Sequence, residues 1–292
     1  MIKGLGTALI TPFKADGSVD YEALARLLDT QLTGFVDYIV VLGTTGEAAT
    51  MTEKEREEVR NFIRKYVKGR IPLVLGVGGN NTAAVCETLR TIDLTGFEAI
   101  LSVCPYYNKP NQEGLYQHFC AVAEASPVPV ILYNVPGRTG VNLLPETVMR
   151  IYEAHPEKIA GIKEASGNIE QIKDLISRKS KVERKKPFLV ISGDDGIACE
   201  VMEAGGAGLI SVASNAFAED FHAIVHQKDQ EKQAQYAEMI RLLFAEGNPV
   251  GIKAVLTQQG IIENVLRLPL VPASAALQAQ IAKQLPKWQK SC

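Results

Sequence analysis

Histidine is scarce in this chain, with four among 292 residues, and cysteine is sparse and scattered. The five cysteines, Cys86, Cys104, Cys120, Cys199 and Cys292, are odd in number and far apart, with no Cys-x-x-Cys pair or Cys/His ligand spacing. Neither a disulfide framework nor a zinc site is expected, and no cofactor is called for. Long apolar runs are missing too, none approaching the ~20 residues of a membrane-spanning helix. The opening residues Met1-Ile2-Lys3-Gly4-Leu5-Gly6-Thr7 lack a signal-peptide profile, so a reducing cytoplasm is the expected location. Net charge is small, at −2, and gives no general attraction to nucleic acid or anionic membrane. The one basic cluster, 178–186, has no interleaved aromatics and precedes a predicted strand, so it reads as a solvated loop. No Gly-Lys-Ser/Thr follows a glycine-rich turn, which excludes a P-loop. Gly76-Val77-Gly78-Gly79-Asn80 lacks the GxGxxG frame of a dinucleotide site.

What the chain does contain is alternation. Short apolar, β-rich runs occur at Gly6–Ile10, Asp37–Leu42, Leu73–Gly76, Ala99–Val103, Val130–Tyr133, Ile159–Lys163, Phe188–Ile191 and Gly208–Val212. Most recur about every 30 residues, the length of a βαβ unit. Between them lie helical patterns such as Leu24-Leu27-Leu28-Leu32, Val59-Ile63-Val67 and Ile169-Ile172-Leu175-Ile176. Thr52-Glu53-Lys54-Glu55 has the spacing of a capping box, and Asn168 is a good N-cap. Eight such units point to an α/β protein, a (β/α)₈ TIM barrel, over residues 1–224; a doubly wound open sheet normally has fewer strands. From 225 to 292 the β signal stops. Gln227–Glu246, Val250–Gln258 and Ser274–Leu285 read as a C-terminal extension of three helices that packs on the barrel or on a neighbouring subunit.

In such barrels the chemistry sits at the carboxyl ends of the strands. Those ends carry Thr11, Gly43-Thr44-Thr45-Gly46-Glu47, Asn80-Asn81, Tyr106-Tyr107, Tyr133-Asn134, Lys163-Glu164 and Asp194-Asp195, with no histidine among them. That argues against a histidine triad or a metal site. Lys163 ends the apolar run Ile159-Ala160-Gly161-Ile162. A buried amine is costly to leave charged and unpaired, and in its neutral form it attacks carbonyls to form Schiff bases. The ordinary alternative is a strand-end lysine whose head reaches solvent. Strict alternation puts Ile159, Gly161 and Lys163 on one face, with Gly161 leaving room for the lysine stem. The Gly43–Glu47 segment reads either as an anion-binding turn for a small carboxylate or as a plain βα turn. Tyr133, one strand before Lys163, is placed to relay protons or merely to hydrogen-bond at the rim. Arg138 could fork onto a substrate carboxylate or form a surface ion pair. Tyr106 and Tyr107 fit a core, an interface or a proton relay. Cys104 beside them reads as a buried, inert thiol.

Three segments together resemble the dihydrodipicolinate synthase family: Gly43-Thr44-Thr45-Gly46-Glu47, Tyr133-Asn134-Val135-Pro136-Gly137-Arg138-Thr139-Gly140 and Gly161-Ile162-Lys163-Glu164-Ala165-Ser166-Gly167. They come in the family's order and spacing, and the resemblance covers nearly the whole chain. It implies a class I aldolase of lysine and diaminopimelate biosynthesis. Lys163 would bind pyruvate as a Schiff base, and the enamine would attack L-aspartate 4-semialdehyde. Thr44, Tyr133 and Tyr107 would form the proton relay, with Tyr107 reaching in from a partner subunit. Thr45 would hold the pyruvate carboxylate, Arg138 would orient the second substrate, and Gly193 and Ile210 would line the site. Family members are commonly homotetramers built as pairs of dimers. N-acetylneuraminate lyase and the keto-deoxy sugar acid aldolases share the lysine and tyrosine. They usually carry serine in the second-strand motif and lack the Pro-Gly-Arg-Thr-Gly run. Lysine-inhibited members often have histidines after the Gly-Thr-Thr-Gly-Glu motif and an acidic residue in the third helix. Here those places hold Ala48, Glu53, Arg56 and Ala84, although Asn80 and Tyr106 are retained. The resemblance therefore implies weak or absent inhibition by lysine.

Overall fold

Eight short apolar runs pair in parallel and in chain order in the computed structural model, closing a barrel whose last strand bonds to its first. The structure describes residues 2–180 and 187–285. Residues 181–186 of the basic stretch, and Cys292, lie outside them. The strands are β1 (Gly4–Ala8), β2 (Tyr38–Val41), β3 (Leu73–Gly76), β4 (Ala99–Val103), β5 (Val130–Asn134), β6 (Ile159–Glu164), β7 (Leu189–Ser192) and β8 (Gly208–Ser211). The helices between them are α1 (Tyr21–Gln31), α2 (Glu53–Val67), α3 (Thr82–Thr91), α4 (Gln112–Ala125), the single turn α5 (Pro136–Thr139), α6 (Pro145–Ala154), α7 (Ile169–Ser180) and α8 (Ala198–Glu203). After β8 come α9 (Ser214–His226), α10 (Gln230–Phe244), α11 (Val250–Gln258) and α12 (Ala275–Gln284). No helix among the described residues is long and apolar enough to cross a membrane.

Two layers of core follow from the alternation of side chains along each strand. Ala8, Tyr38, Val40, Val74, Leu101, Ile131, Ile191 and Ile210 fill the barrel interior. Their neighbours Ile39, Val41, Leu75, Ile100, Leu132, Ile162, Val190 and Leu209 face outward against the helices. Leu24, Leu27 and Leu28 of α1 are fully buried there, as are Ile172 and Leu175 of α7. Each such residue contributes about 1.5–3 kcal/mol by leaving water. Thr52 and Glu55 form the reciprocal capping box expected of them. The Asn168 side chain accepts from the amides of Glu170 and Gln171.

The boundaries depart from the sequence reading where tertiary contacts intervene. β1 begins and ends two residues early, at Gly4–Ala8. Leu9 and Ile10 stay buried, but Ile10 gives its N–H to the Asn215 side chain rather than to a strand. The expected helix from Gln227 begins at Gln230, because Lys228 takes a left-handed conformation and Asp229 caps the next turn. In β6 the register against β5 skips a residue between Ile159 and Gly161. This bulge turns Ile159 out to the helix layer and packs Ala160 against the interior, so Ile159 does not share a face with Lys163.

The C-terminal helices are fastened to the barrel mouth by charge. Glu47 follows the β2 strand and Lys253 lies on α11; both side chains are fully buried, with Nζ 2.5 Å from Oε1. Lys253 also donates to the Val265 carbonyl at 3.0 Å, and Glu47 Oε2 accepts the Arg267 N–H at 3.1 Å. The Lys253 ammonium and the Arg267 guanidinium both lie over the Phe13 ring, 4.3 and 4.4 Å from its centre. Arg267 in turn reaches Glu55 of α2, whose carboxyl is pulled down to about 2 chiefly by that hydrogen bond.

Burial pushes the Lys253 ammonium down to about 8, against the attraction of Glu47. The unfolded chain holds this proton up to the ordinary value of 10.5. Between those values the unfolded state binds more protons, so stability attributable to Lys253 rises as pH climbs from 8 to 10.5. Lys253→Met should remove that increment and, by stranding Glu47, cost about 3–5 kcal/mol in urea unfolding. Glu47→Gln combined with Lys253→Met should recover most of the loss. A double variant no more stable than Lys253→Met would disprove the pairing.

Candidate active site

Lys163 ends up where its strand predicts, inside the barrel near the carboxyl end of β6, and only 6% of it is exposed. The ladder puts it directly beside Tyr133, and its Nζ stands 4.5 Å from the centre of the tyrosine ring. Among the described residues it has no carboxylate within ion-pair distance. Glu164, next in sequence, points to the other side. Its Oε2 accepts from Asn134 at 2.8 Å and Gln171 at 3.0 Å, and its Oε1 from the Ser166 amide at 2.7 Å. The one buried carboxylate close by in sequence is thus satisfied without the lysine. The same network raises the buried Cys104 thiol, through burial first and the Glu164 charge second. A thiol held in its protonated form is inert, as the sequence suggested.

The room for the lysine stem comes from a different glycine than expected. A Cβ at Gly161 would strike the Leu189 backbone carbonyl at 2.2 Å, so that glycine serves the close approach of β6 and β7. A Cβ at Gly193 would meet Lys163 Cε at 2.8 Å and Cγ at 3.2 Å. Gly193, held by its N–H to the Glu164 carbonyl, is what leaves the stem its path. Ile210, 1% exposed, closes the interior layer of the same barrel.

The Gly43–Glu47 segment forms a single 3₁₀ turn at the end of β2. The amides of Thr44 and Thr45 start the turn and so have no acceptor within it, as at any helix start. Thr44 is exposed and lines a cleft of about 510 Å³ with Tyr133, Val135, Arg138 and Tyr106. Thr45 is buried, and its hydroxyl accepts a 2.9 Å hydrogen bond from Asn248 Nδ2. The carbonyl of Asn248 takes a 3.2 Å hydrogen bond from Arg138 Nη2. One residue between α10 and α11 therefore holds two groups from separate βα loops. Asn248 escaped the sequence reading; the only signal was its place in the Asn248-Pro249 break between predicted helices. Its Oδ1 is buried without a partner.

Tyr107 does not meet the other residues within the chain. It stands 88% exposed, with φ +74°, and is absent from the cleft wall. Left-handed backbone is uncommon for a tyrosine and persists only when its surroundings impose it. Here Asn80 donates to the Tyr106 carbonyl and Asn108 to the Asn80 carbonyl, tying the loop after β4 to the loop after β3. The cleft continues from the barrel mouth along α2 and α3, past Glu53, Arg56, Arg60, Asn80 and Ala84. Arg56 is paired with Glu53 at 2.7 Å, while Arg60 is buried with its Nε unpartnered.

Proteins of similar sequence and of similar fold point to one family. The family model described as the dihydrodipicolinate synthetase family matches residues 1–287. The 4-hydroxy-tetrahydrodipicolinate synthase of Parabacteroides distasonis is 49% identical over 298 residues, covering 100% of this chain and 98% of that protein. The crystal structure of the dihydrodipicolinate synthase of Thermotoga maritima superposes with a TM-score of 0.94 at 40% identity, covering 98% of each chain. That of the Acinetobacter baumannii enzyme, described as chloride-inhibited and complexed with pyruvate, gives 0.92 at 37% identity, again over 98% of each. The chain belongs to the dihydrodipicolinate synthetase family, whose known activity condenses pyruvate with aspartate semialdehyde.

Proposed function

We propose that the chain is a 4-hydroxy-tetrahydrodipicolinate synthase that joins pyruvate to L-aspartate 4-semialdehyde through a Schiff base on Lys163. The observation that carries this reading is a buried amine with no carboxylate partner among the described residues, set against the ring of Tyr133, which lines one cleft with Thr44 and Arg138. The amine adds to the pyruvate carbonyl, and loss of water gives the imine. Loss of a C3 proton gives the enamine, whose carbon attacks the semialdehyde carbonyl. The amino group of the second substrate then closes on the imine carbon and releases Lys163. Each step moves a proton, and Tyr133 with Thr44 lies on the route between the amine and the cleft. Thr45 grips the pyruvate carboxylate, helped by the free amides that open its turn. Arg138 meets the carboxylate of the semialdehyde from the cleft wall, and Gly193 and Ile210 shape the floor.

Tyr107 completes the relay by entering a partner subunit's site, which its exposure and imposed backbone suit. A homotetramer made of two such dimers accounts for this. The three-helix extension, 225–292, brings Asn248 and Lys253 to the mouth of the 1–224 barrel. No cofactor or metal takes part in these steps, and a cytoplasmic location suits a biosynthetic enzyme of this kind.

Borohydride reduction in the presence of pyruvate should add one reduced pyruvate to the peptide containing Lys163, read by mass spectrometry. An unmodified Lys163 would refute the mechanism. Arg138→Ala should raise KM for the semialdehyde by roughly ten- to a hundredfold, the worth of a hydrogen bond to a charge, and KM for pyruvate far less. Asn248→Ala keeps the backbone carbonyl that holds Arg138 but frees the Thr45 hydroxyl. It should raise KM for pyruvate about fivefold with the semialdehyde KM nearly unchanged. The reverse split in either variant would reverse the assigned roles. Lysine at submillimolar concentration should leave the steady-state rate essentially intact, and half-inhibition there would contradict the reading of Ala48, Arg56 and Ala84.

A further inference from the structure

At the opposite end of the barrel from Lys163, three side chains with metal-binding atoms converge. His222 and His226 are one helical turn apart near the end of α9, and Asp37 immediately precedes β2. One ligand atom from each lies within 4.8 Å of the other two. The i, i+4 spacing puts both imidazoles on one face of the helix. Their rings lie 4.2 Å apart, 30° from parallel. Asp37 Oδ2 is 2.7 Å from His226 Nε2 and accepts the Leu5 N–H at 2.7 Å, so the carboxylate is aimed at the helix by the backbone of β1.

The second partner of each ring decides what such a cluster can hold. His222 Nδ1 lies 2.8 Å from the Phe35 carbonyl. A carbonyl only accepts, so Nδ1 carries the proton and Nε2 keeps its lone pair. A backbone carbonyl holding one imidazole nitrogen while the other binds is the usual support of a metal-ligating histidine. The His226 and Asp37 side chains are 38% and 34% exposed, which leaves solvent free to supply a fourth ligand.

We propose that Asp37, His222 and His226 bind one divalent transition-metal ion of the zinc or cobalt class. Two imidazoles and a carboxylate suit borderline ions, whereas magnesium and calcium take oxygen ligands. Metal bonds of about 2.1 Å set tetrahedral ligand atoms about 3.4 Å apart. The cluster therefore needs side-chain rotations of about an ångström, with the Asp37–His226 hydrogen bond opening and the His226 Nε2 proton released to solvent or moved to Nδ1 as the ion binds. The bound ion ties the end of α9 to the base of β2 and, through Asp37, to β1. It takes no part in the chemistry at Lys163.

Titration of the metal-free full-length protein with Zn²⁺ by calorimetry, and with Co²⁺ by visible absorption, tests this directly. One ion per chain should bind, with cobalt bands of nitrogen and oxygen ligation and a higher thermal midpoint. His226→Ala and His222→Ala should each weaken binding by about tenfold or more and abolish the midpoint shift. His226→Gln, which keeps a polar contact to Asp37, should fold as the wild type does and still lose the ion. No saturable binding by the wild type, or equal binding by these variants, would overturn the site.

Discussion

The buried pair of Glu47 and Lys253 is the constraint on which the barrel mouth depends. Burying two charges costs several kcal/mol per ion, and only a close partner and further hydrogen bonds offset that cost. Both conditions are met, since Lys253 also bonds Val265 and lies on Phe13, while Glu47 also takes the Arg267 amide. The left-handed backbone of Glu47, at φ +54°, sets where the preceding turn lies. Thr44 and Thr45 occupy that turn. The helices after the barrel are therefore fastened to that turn, and Asn248, five residues before Lys253, bonds Thr45 from the same stretch.

A second arrangement keeps the lysine available. A strand sequence that reads Lys-Glu invites an ion pair, yet neighbouring residues of a strand face opposite ways. Glu164 is consumed by Asn134, Gln171 and the Ser166 amide. Those groups come from β5, α7 and the loop between β6 and α7. Among the described residues Lys163 faces the Tyr133 ring and Gly193 and has no carboxylate partner. The family's chemistry requires such an amine.

Much of this was legible because it is local. The capping box at Thr52, the buried leucines of α1 and the ends of β3 and β4 depend on residues a few positions apart, where periodicity and hydrogen-bond chemistry act directly. Lys163, Tyr133 and the two threonines stood out because each polar group closes an apolar run. Asn248 did not, because its partners Thr45 and Arg138 lie 203 and 110 residues away in sequence. The Asp37, His222 and His226 cluster was hidden for the same reason, and the scarcity of histidine argued against it. Ile159 was misplaced because alternation alone cannot reveal a bulge, and Gly161 was misread because the backbone it must clear, that of Leu189, belongs to the next strand.

The sequence by itself determined the eight βα units, the helical tail, the strand-end lysine and the family. These follow from patterning within short windows and from motifs whose residues are contiguous. Only the tertiary structure decided which glycine admits the lysine stem, which partner occupies Glu164, and that a buried charge pair joins the tail to the mouth. Such choices are made by packing between distant segments: a Cβ at Gly161 would strike the Leu189 backbone, and one at Gly193 would strike the Lys163 stem. No local pattern encodes that difference.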